Sequence, residues 1–150
     1  MFCSRCSFLV ARYFFFRREG SPLVDSKKKA IKAAKTANSK KAKDILVLEL
    51  KDISSIADYF VICSGESSTQ VKAIAEAIDE KFSKDKMQPL GREGVNFARW
   101  ILMDYGDVVV HIFDKESRDY YELEKLWLDA PRVSIEKQLK PAIKRQKASK

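Results

Sequence analysis

Between Arg99 and Phe113, two apolar runs flank Asp104-Tyr105-Gly106-Asp107. This is a hairpin pattern, with Gly106 free to take positive φ in the turn. With Tyr105 and Gly106 as a two-residue loop, Asp104 lies opposite Asp107, Leu102 opposite Val109 and Trp100 opposite His111. Side chains alternate across a strand, so Ile101, Met103, Val108, Val110 and Ile112 share one face, which reads as core. The other face carries Trp100, Leu102, Asp104, Asp107, Val109 and His111. A large aromatic, aliphatics, an imidazole and carboxylates are the composition of a surface that binds another protein. A second reading stays open, because central strands of α/β domains are apolar on both sides and Trp100 then sits under a helix. A longer loop is a further alternative, since facing carboxylates repel and tyrosine is poorly suited to positive φ.

The remaining periodicities supply the frame. Asp25 or Ser26 caps a helix to about Asn38, with Ala30, Ile31, Ala33, Ala34 and Ala37 on one side. Asp44–Leu50 and Asp58–Gly65 read as strands, the second apolar on both faces and therefore interior. Ser67 and Gln70 form a capping box opening a helix whose stripe is Val71, Ile74, Ala75, Ile78 and Phe82. Met87–Gly94 is a short extended piece. After the hairpin, Ser117 or Asp119 caps a last helix with Tyr120, Leu123, Leu126 and Trp127 inward, and Ala130-Pro131 ends it. The order predicts one α/β domain over residues 25–131, with a mixed, mostly five-stranded sheet flanked by helices. Its Gly65–Met87 segment is a right-handed crossover and its hairpin is antiparallel.

Charge changes this picture. The formal net charge of +8 suggests a nucleic-acid binder, but it divides into +10 over residues 1–43, −8 over 44–131 and +6 over 132–150. An acidic body suits a basic protein partner, and the basic arms suit RNA beside it. Residues 132–150 read as a mobile basic tail. Residues 1–24 hold an apolar run, Phe8–Phe16, broken by Arg12 and too short to span a bilayer. They read as a disordered extension or a start placed upstream of the natural one, with an organelle transit peptide as the alternative. Three cysteines, Cys3, Cys6 and Cys63, make no disulfide framework, and Cys3-Ser-Arg-Cys6 lacks the second ligand pair that zinc needs.

Catalytic chemistry finds little support. His111 is the single histidine and no elbow presents Cys63 as a nucleophile. Ser64-Gly-Glu-Ser-Ser68 at a strand-to-helix junction offers amides to an anion, but it is not a P-loop. No strand-borne Asp-x-Asp pair follows it for two-metal transfer. No cofactor or metal is expected, and a nucleotide-dependent transferase is the remote alternative.

Several segments together resemble the ribosomal silencing factor, or Iojap-like, family. They are Ser54-Ser-Ile-Ala-Asp-Tyr-Phe-Val-Ile-Cys-Ser-Gly65, Ser67 with Gln70-Val71, Pro89-Leu-Gly-Arg-Glu-Gly94, Trp100–Phe113 and Tyr121-Glu-Leu-Glu-Lys-Leu-Trp127. With the helix and strand before them they cover roughly residues 27–131. The resemblance implies a domain shaped like a nucleotidyltransferase but without the catalytic carboxylates, so not an enzyme. It implies binding to the large ribosomal subunit through ribosomal protein number fourteen, which sterically blocks joining of the small subunit and represses translation. It places the contact on Trp100, Leu102, Tyr105, Gly106, Asp107 and Val109, overlapping the face derived from alternation, to which Asp104 and His111 also belong. It fits a monomer or weak homodimer in the cytoplasm. Some members work in organelles, where subunit assembly is affected.

Overall fold

The structure, a computed structural model, describes residues 25–139. The expectations for residues 1–24 and for 140–150 lie outside the described residues. Helix α1 (Ser26–Ser39) starts where the Asp25 carboxylate accepts the Lys27 N–H. Its inner side is Ala30, Ala33, Ala34 and Ala37, all fully buried. Such small side chains bring the helix axis close to the sheet. Strands β1 (Lys43–Glu49) and β2 (Tyr59–Gly65) follow, then helix α2 (Ser68–Lys84), β3 (Gly91–Glu93), β4 (Trp100–Asp104) and β5 (Val108–Asp114). Ser67 Oγ accepts the Gln70 N–H at 3.2 Å, while the Gln70 side chain reaches back to the Glu66 N–H rather than to that of Ser67. The cap is as predicted; its reciprocal bond lands one residue earlier. Helices α3 (Lys115–Tyr121), α4 (Leu123–Leu126) and α5 (Glu136–Leu139) complete the described chain.

The sheet order is β1-β2-β5-β4-β3. Only β2 and β5 are parallel; the other neighbours are antiparallel, so the sheet is mixed and five-stranded. One face, with Val47, Val61, Ile101, Met103, Val110 and Ile112, packs under α1 and α2 as the main core. The opposite face, with Leu48, Phe60, Ile62, Val109 and Phe113, forms a smaller second core closed by Leu123, Trp127 and Ala130. Trp100 and Leu102 are half-buried at its margin.

The hairpin register differs from the expected one. Tyr105 donates its N–H to the Val108 carbonyl at 2.9 Å, leaving Gly106 and Asp107 as the loop, with Gly106 at φ +88°. The positive φ thus falls on glycine at the first loop position, where a type II′ turn needs it, and Tyr105 escapes it. Asp104 now faces Val109, Leu102 faces His111, and Trp100 faces Phe113. Moving the loop by one residue slides the pairing by two, so every side chain keeps its predicted face.

Two further expectations are corrected. The last helix is capped by Asp114, whose carboxylate accepts the Ser117 N–H at 2.7 Å, and it breaks at Glu122, which is left-handed at φ 42°. A single helix cannot continue through that residue, so Tyr120 and Leu126 turn outward instead of facing in. Residues 132–139 are likewise part of the domain. Arg132 bridges Leu48, Val133 donates its N–H to the Val47 carbonyl, and Ile135 is buried in the main core. This strap covers the outer edge of β1, an edge that would otherwise offer unpaired backbone groups.

Gly94 carries the turn between β3 and β4 at φ +78°, where a Cβ would run into the Trp100 carbonyl oxygen. Gly91, by contrast, has nothing within 4 Å of an added Cβ. Gly94→Ala should therefore destabilise the fold by roughly 2–4 kcal/mol. Gly91→Ala should leave the melting temperature within error. Comparable melts for the two variants would contradict this placement of the turn.

Candidate functional site

The Trp-bearing face is only partly open. Strands β2 and β5 lie beneath the 115–131 segment, which meets β4 through the Tyr121 ring at Trp100. Trp100 stacks on Phe113 with ring centroids 5.0 Å apart and meets the Tyr121 ring at 4.9 Å. Its indole Nε1 donates to His111 Nδ1 at 3.3 Å. Tyr121 in turn meets Tyr120 edge-on at 5.1 Å, and Tyr120 is 82% exposed. A row of aromatic rings therefore runs from the second core to solvent, with half-buried Leu102 two residues along β4. Phe97, 84% exposed in the loop before β4, is the most exposed large apolar side chain among the described residues.

Burial withdraws four of the eight expected contact residues from the surface. His111 is 4% exposed between Phe60 and Phe113. Desolvation pushes its pKa down to about 3, so the ring is neutral at physiological pH. Because Nδ1 accepts from Trp100, the ring proton sits on Nε2, which has no hydrogen-bond partner in the described structure. Val109 is buried beside it in the second core. Tyr105 points to the opposite side of the sheet, edge-on to Phe82 at 4.5 Å, and burial raises its hydroxyl pKa. Asp104 is buried too, its Oδ1 accepting the Gly106 N–H at 2.8 Å.

Trp100, Leu102, Gly106 and Asp107 remain half-exposed. Asp107 is tied to α1 by the Lys29 ammonium, at 2.9 and 3.0 Å from its two oxygens. The exposed side chains of Phe97, Tyr120 and Tyr121 lie outside the expected list. A signal for the tyrosines was present, since adjacent residues on a helix point about 100° apart and cannot both face inward.

The geometry also bears on the chemistries considered from sequence. Cys63 and His111 lie in the cores on opposite sides of the sheet, and burial pushes the thiol up to about 12, so they form no nucleophile–base pair. At the Ser64–Ser68 turn, the Glu66 and Gln70 amides are taken by side chains of the chain itself, and Ser64 Oγ accepts from Arg118 at 2.7 Å. Asp114, in register with Gly65, is engaged as the cap of α3. No three His, Cys, Asp or Glu side chains cluster as metal ligands among the described residues. No described helix is long and apolar enough to cross a membrane.

The described residues thus form a small mixed-sheet α/β domain with a row of aromatic rings opening onto solvent. The family model described as "Ribosomal silencing factor during starvation" matches residues 24–150, and the chain belongs to that family. The ribosomal silencing factor of Bacillus subtilis is 49% identical over 104 residues, spanning 69% of this chain and 88% of its own length. A crystal structure of a Bacillus halodurans protein superposes with a TM-score of 0.62 at 42% identity, covering 72% of this chain and 95% of that one. The Mus musculus protein named mitochondrial assembly of ribosomal large subunit protein 1 is 35% identical over 89 residues, 57% of this chain and 39% of its own.

Asp104 yields a pH test. Burial, and then the neighbouring Asp107 charge, raise its pKa to about 6 against the Gly106 N–H, which lowers it. An acid whose pKa rises on folding holds its proton more tightly in the folded state. Its contribution to stability is therefore fully present below about 4 and is lost as pH climbs through about 6. Asp104→Asn keeps an acceptor for Gly106 without the charge. It should stabilise the protein by roughly 1–2 kcal/mol at pH 8 and by little at pH 4. An equal difference at both pH values in thermal melts would contradict this account.

Proposed function

We propose that this protein represses translation by docking on the large ribosomal subunit, through ribosomal protein number fourteen, and sterically blocking the small subunit. Membership of the silencing factor family supports ribosome-associated repression. The observation that carries the finer reading is the half-exposed Trp100, backed by Phe113 and His111 and flanked by Tyr121 and Leu102. Buried anchors of this kind dominate protein interfaces. The basic arms contact neighbouring rRNA, and an acidic body favours a basic ribosomal protein. A domain of this size is about 30 Å across, enough to hold apart two surfaces that must meet. No covalent step or cofactor is needed, and the protein acts as a monomer or weak homodimer in the cytoplasm.

A second reading has the same surface serve large-subunit assembly in an organelle. It is favoured by the mitochondrial assembly protein among the relatives and by residues 1–24, with four arginines and one acid. Cleavage of that stretch in native organelles would select it.

Trp100→Ala should weaken co-sedimentation with purified large subunits by about thirtyfold, equivalent to about 2 kcal/mol, and restore joined ribosomes on gradients. Tyr121→Ala should weaken it less. Because Trp100 also packs on Phe113, circular dichroism must show each variant folded at the assay temperature. Full-strength binding by folded Trp100→Ala would remove the docking face proposed here.

A further inference from the structure

The short segment that covers the second core is fastened by one side chain. Arg118 stands three residues ahead of Tyr121 in α3, and positions three apart are neighbours on one side of a helix. Its Nε donates to Glu124 Oε1 at 2.6 Å, and its Nη2 lies at the same distance from that oxygen. Its Nη1 donates to the Asp44 carbonyl at 2.6 Å and to Ser64 Oγ at 2.7 Å. One guanidinium therefore joins α3 to α4, β1 and β2. The arginine side chain is only 13% exposed, so losing a partner would leave a charge stranded away from water.

The chain is shaped to receive this group. Strand β1 shifts register between Lys43 and Leu46, and Asp44 inside the irregularity is left-handed at φ 48°. Bulges re-aim groups out of the regular ladder, and here the Asp44 carbonyl meets the guanidinium. Ser64, buried near the end of β2, accepts from it through its hydroxyl oxygen. Beyond the left-handed break at Glu122, α4 has four residues, too few to persist on its own hydrogen bonds. Among the described residues, no other α3 side chain hydrogen-bonds to a strand. Tyr121 closes α3, and the Glu122 N–H that follows it returns to the Arg118 carbonyl at 2.9 Å. The ring that flanks Trp100 at 4.9 Å is thus one turn from the clasp.

We propose that Arg118 is a positioning residue for docking, which clasps the α3–α4 elbow to β1 and β2 and so sets Tyr121 against Trp100. It touches no partner itself and acts through the tyrosine. This rests on the docking reading of the Trp100 face and adds what fixes that face in shape. A lysine keeps the charge but lacks the planar fork that meets acceptors on several elements at once.

Binding of the full chain to purified large ribosomal subunits is measured by co-sedimentation for Arg118→Lys, Tyr121→Ala and the double variant. Circular dichroism fixes a temperature at which each is folded. Arg118→Lys should weaken binding about fivefold, close to the loss in Tyr121→Ala, and the double variant should lose no more than Tyr121→Ala alone. A merely structural arginine would not show that dependence on the tyrosine. The indole N–H resonance of Trp100, identified by its absence in Trp100→Ala, should move in both single variants. Should Arg118→Lys not fold, Glu124→Ala releases the elbow from the clasp and is read in the same way. Losses that multiply in the double variant overturn the proposal, and so does an unmoved indole resonance in the folded clasp variant. Full-strength binding by Arg118→Lys where Trp100→Ala has lost it overturns the positioning role as well. Full-strength binding by Trp100→Ala, with the resonance moved in Arg118→Lys, supports the clasp and strikes the docking reading alone.

Discussion

A sheet whose central strands are apolar on both faces has to be covered twice, and the described residues supply two long helices. Both α1 and α2 go to the same face, where the alanines of one and the Val71–Phe82 stripe of the other complete the main core. The second face receives only the short α3–α4 segment, too little to roof five strands. It shelters β2 and β5, where uncovered Phe60, Ile62 and Val109 would be most unfavourable. What it leaves half-covered is β4. The exposure of Trp100 and Leu102 follows from this shortage of chain, and the proposed docking face is the unroofed remainder of a core.

The hairpin between β4 and β5 is fixed at both ends. At its tip the Lys29–Asp107 pair is partly buried and joins α1 to the loop, while the Asp107 carbonyl accepts the Asp58 and Tyr59 amides at the start of β2. Removing either charged partner would leave the other partly desolvated, which makes the pair a positional constraint more than a source of net stability. At the far end Asp114 donates its N–H to the Arg99 carbonyl and caps α3 through its side chain. The strand carrying Trp100 therefore cannot tilt independently of the helices.

Much of this architecture was legible in the residues. Period-3.6 stripes gave both long helices and their inner sides, Ser67 and Gln70 marked a true start, and strand alternation sorted Ile101, Met103, Val110 and Ile112 into the core. Assignment to a side survived even a misplaced loop, because turn errors of one residue slide a hairpin by two. Alternation, however, tells which side a residue faces and not what covers that side. Hence Val109 and His111 were placed with Trp100 correctly but were taken to be open. The break at Glu122 carried no glycine to announce it, and the left-handed turn there reverses the exposure expected of Tyr120 and Leu126. The 131–133 strap was unreadable for another reason: its partner is the edge of β1, and nothing local says which strand is an edge.

The pairing of Trp100 with a buried histidine suits the anchor role proposed for it where the core thins out. A fully exposed tryptophan must surrender rotamer freedom on docking, which subtracts from affinity. Here the indole is already stacked on Phe113 and oriented by its hydrogen bond to His111, so that loss is largely incurred on folding. The imidazole can accept that bond only while neutral, and its apolar surroundings keep it so. An ordinary solvent-exposed histidine would be partly charged near neutral pH and would release the indole. Burial of His111 thus takes it off the surface and at the same time gives it a task there, that of holding the ring proposed to make the contact.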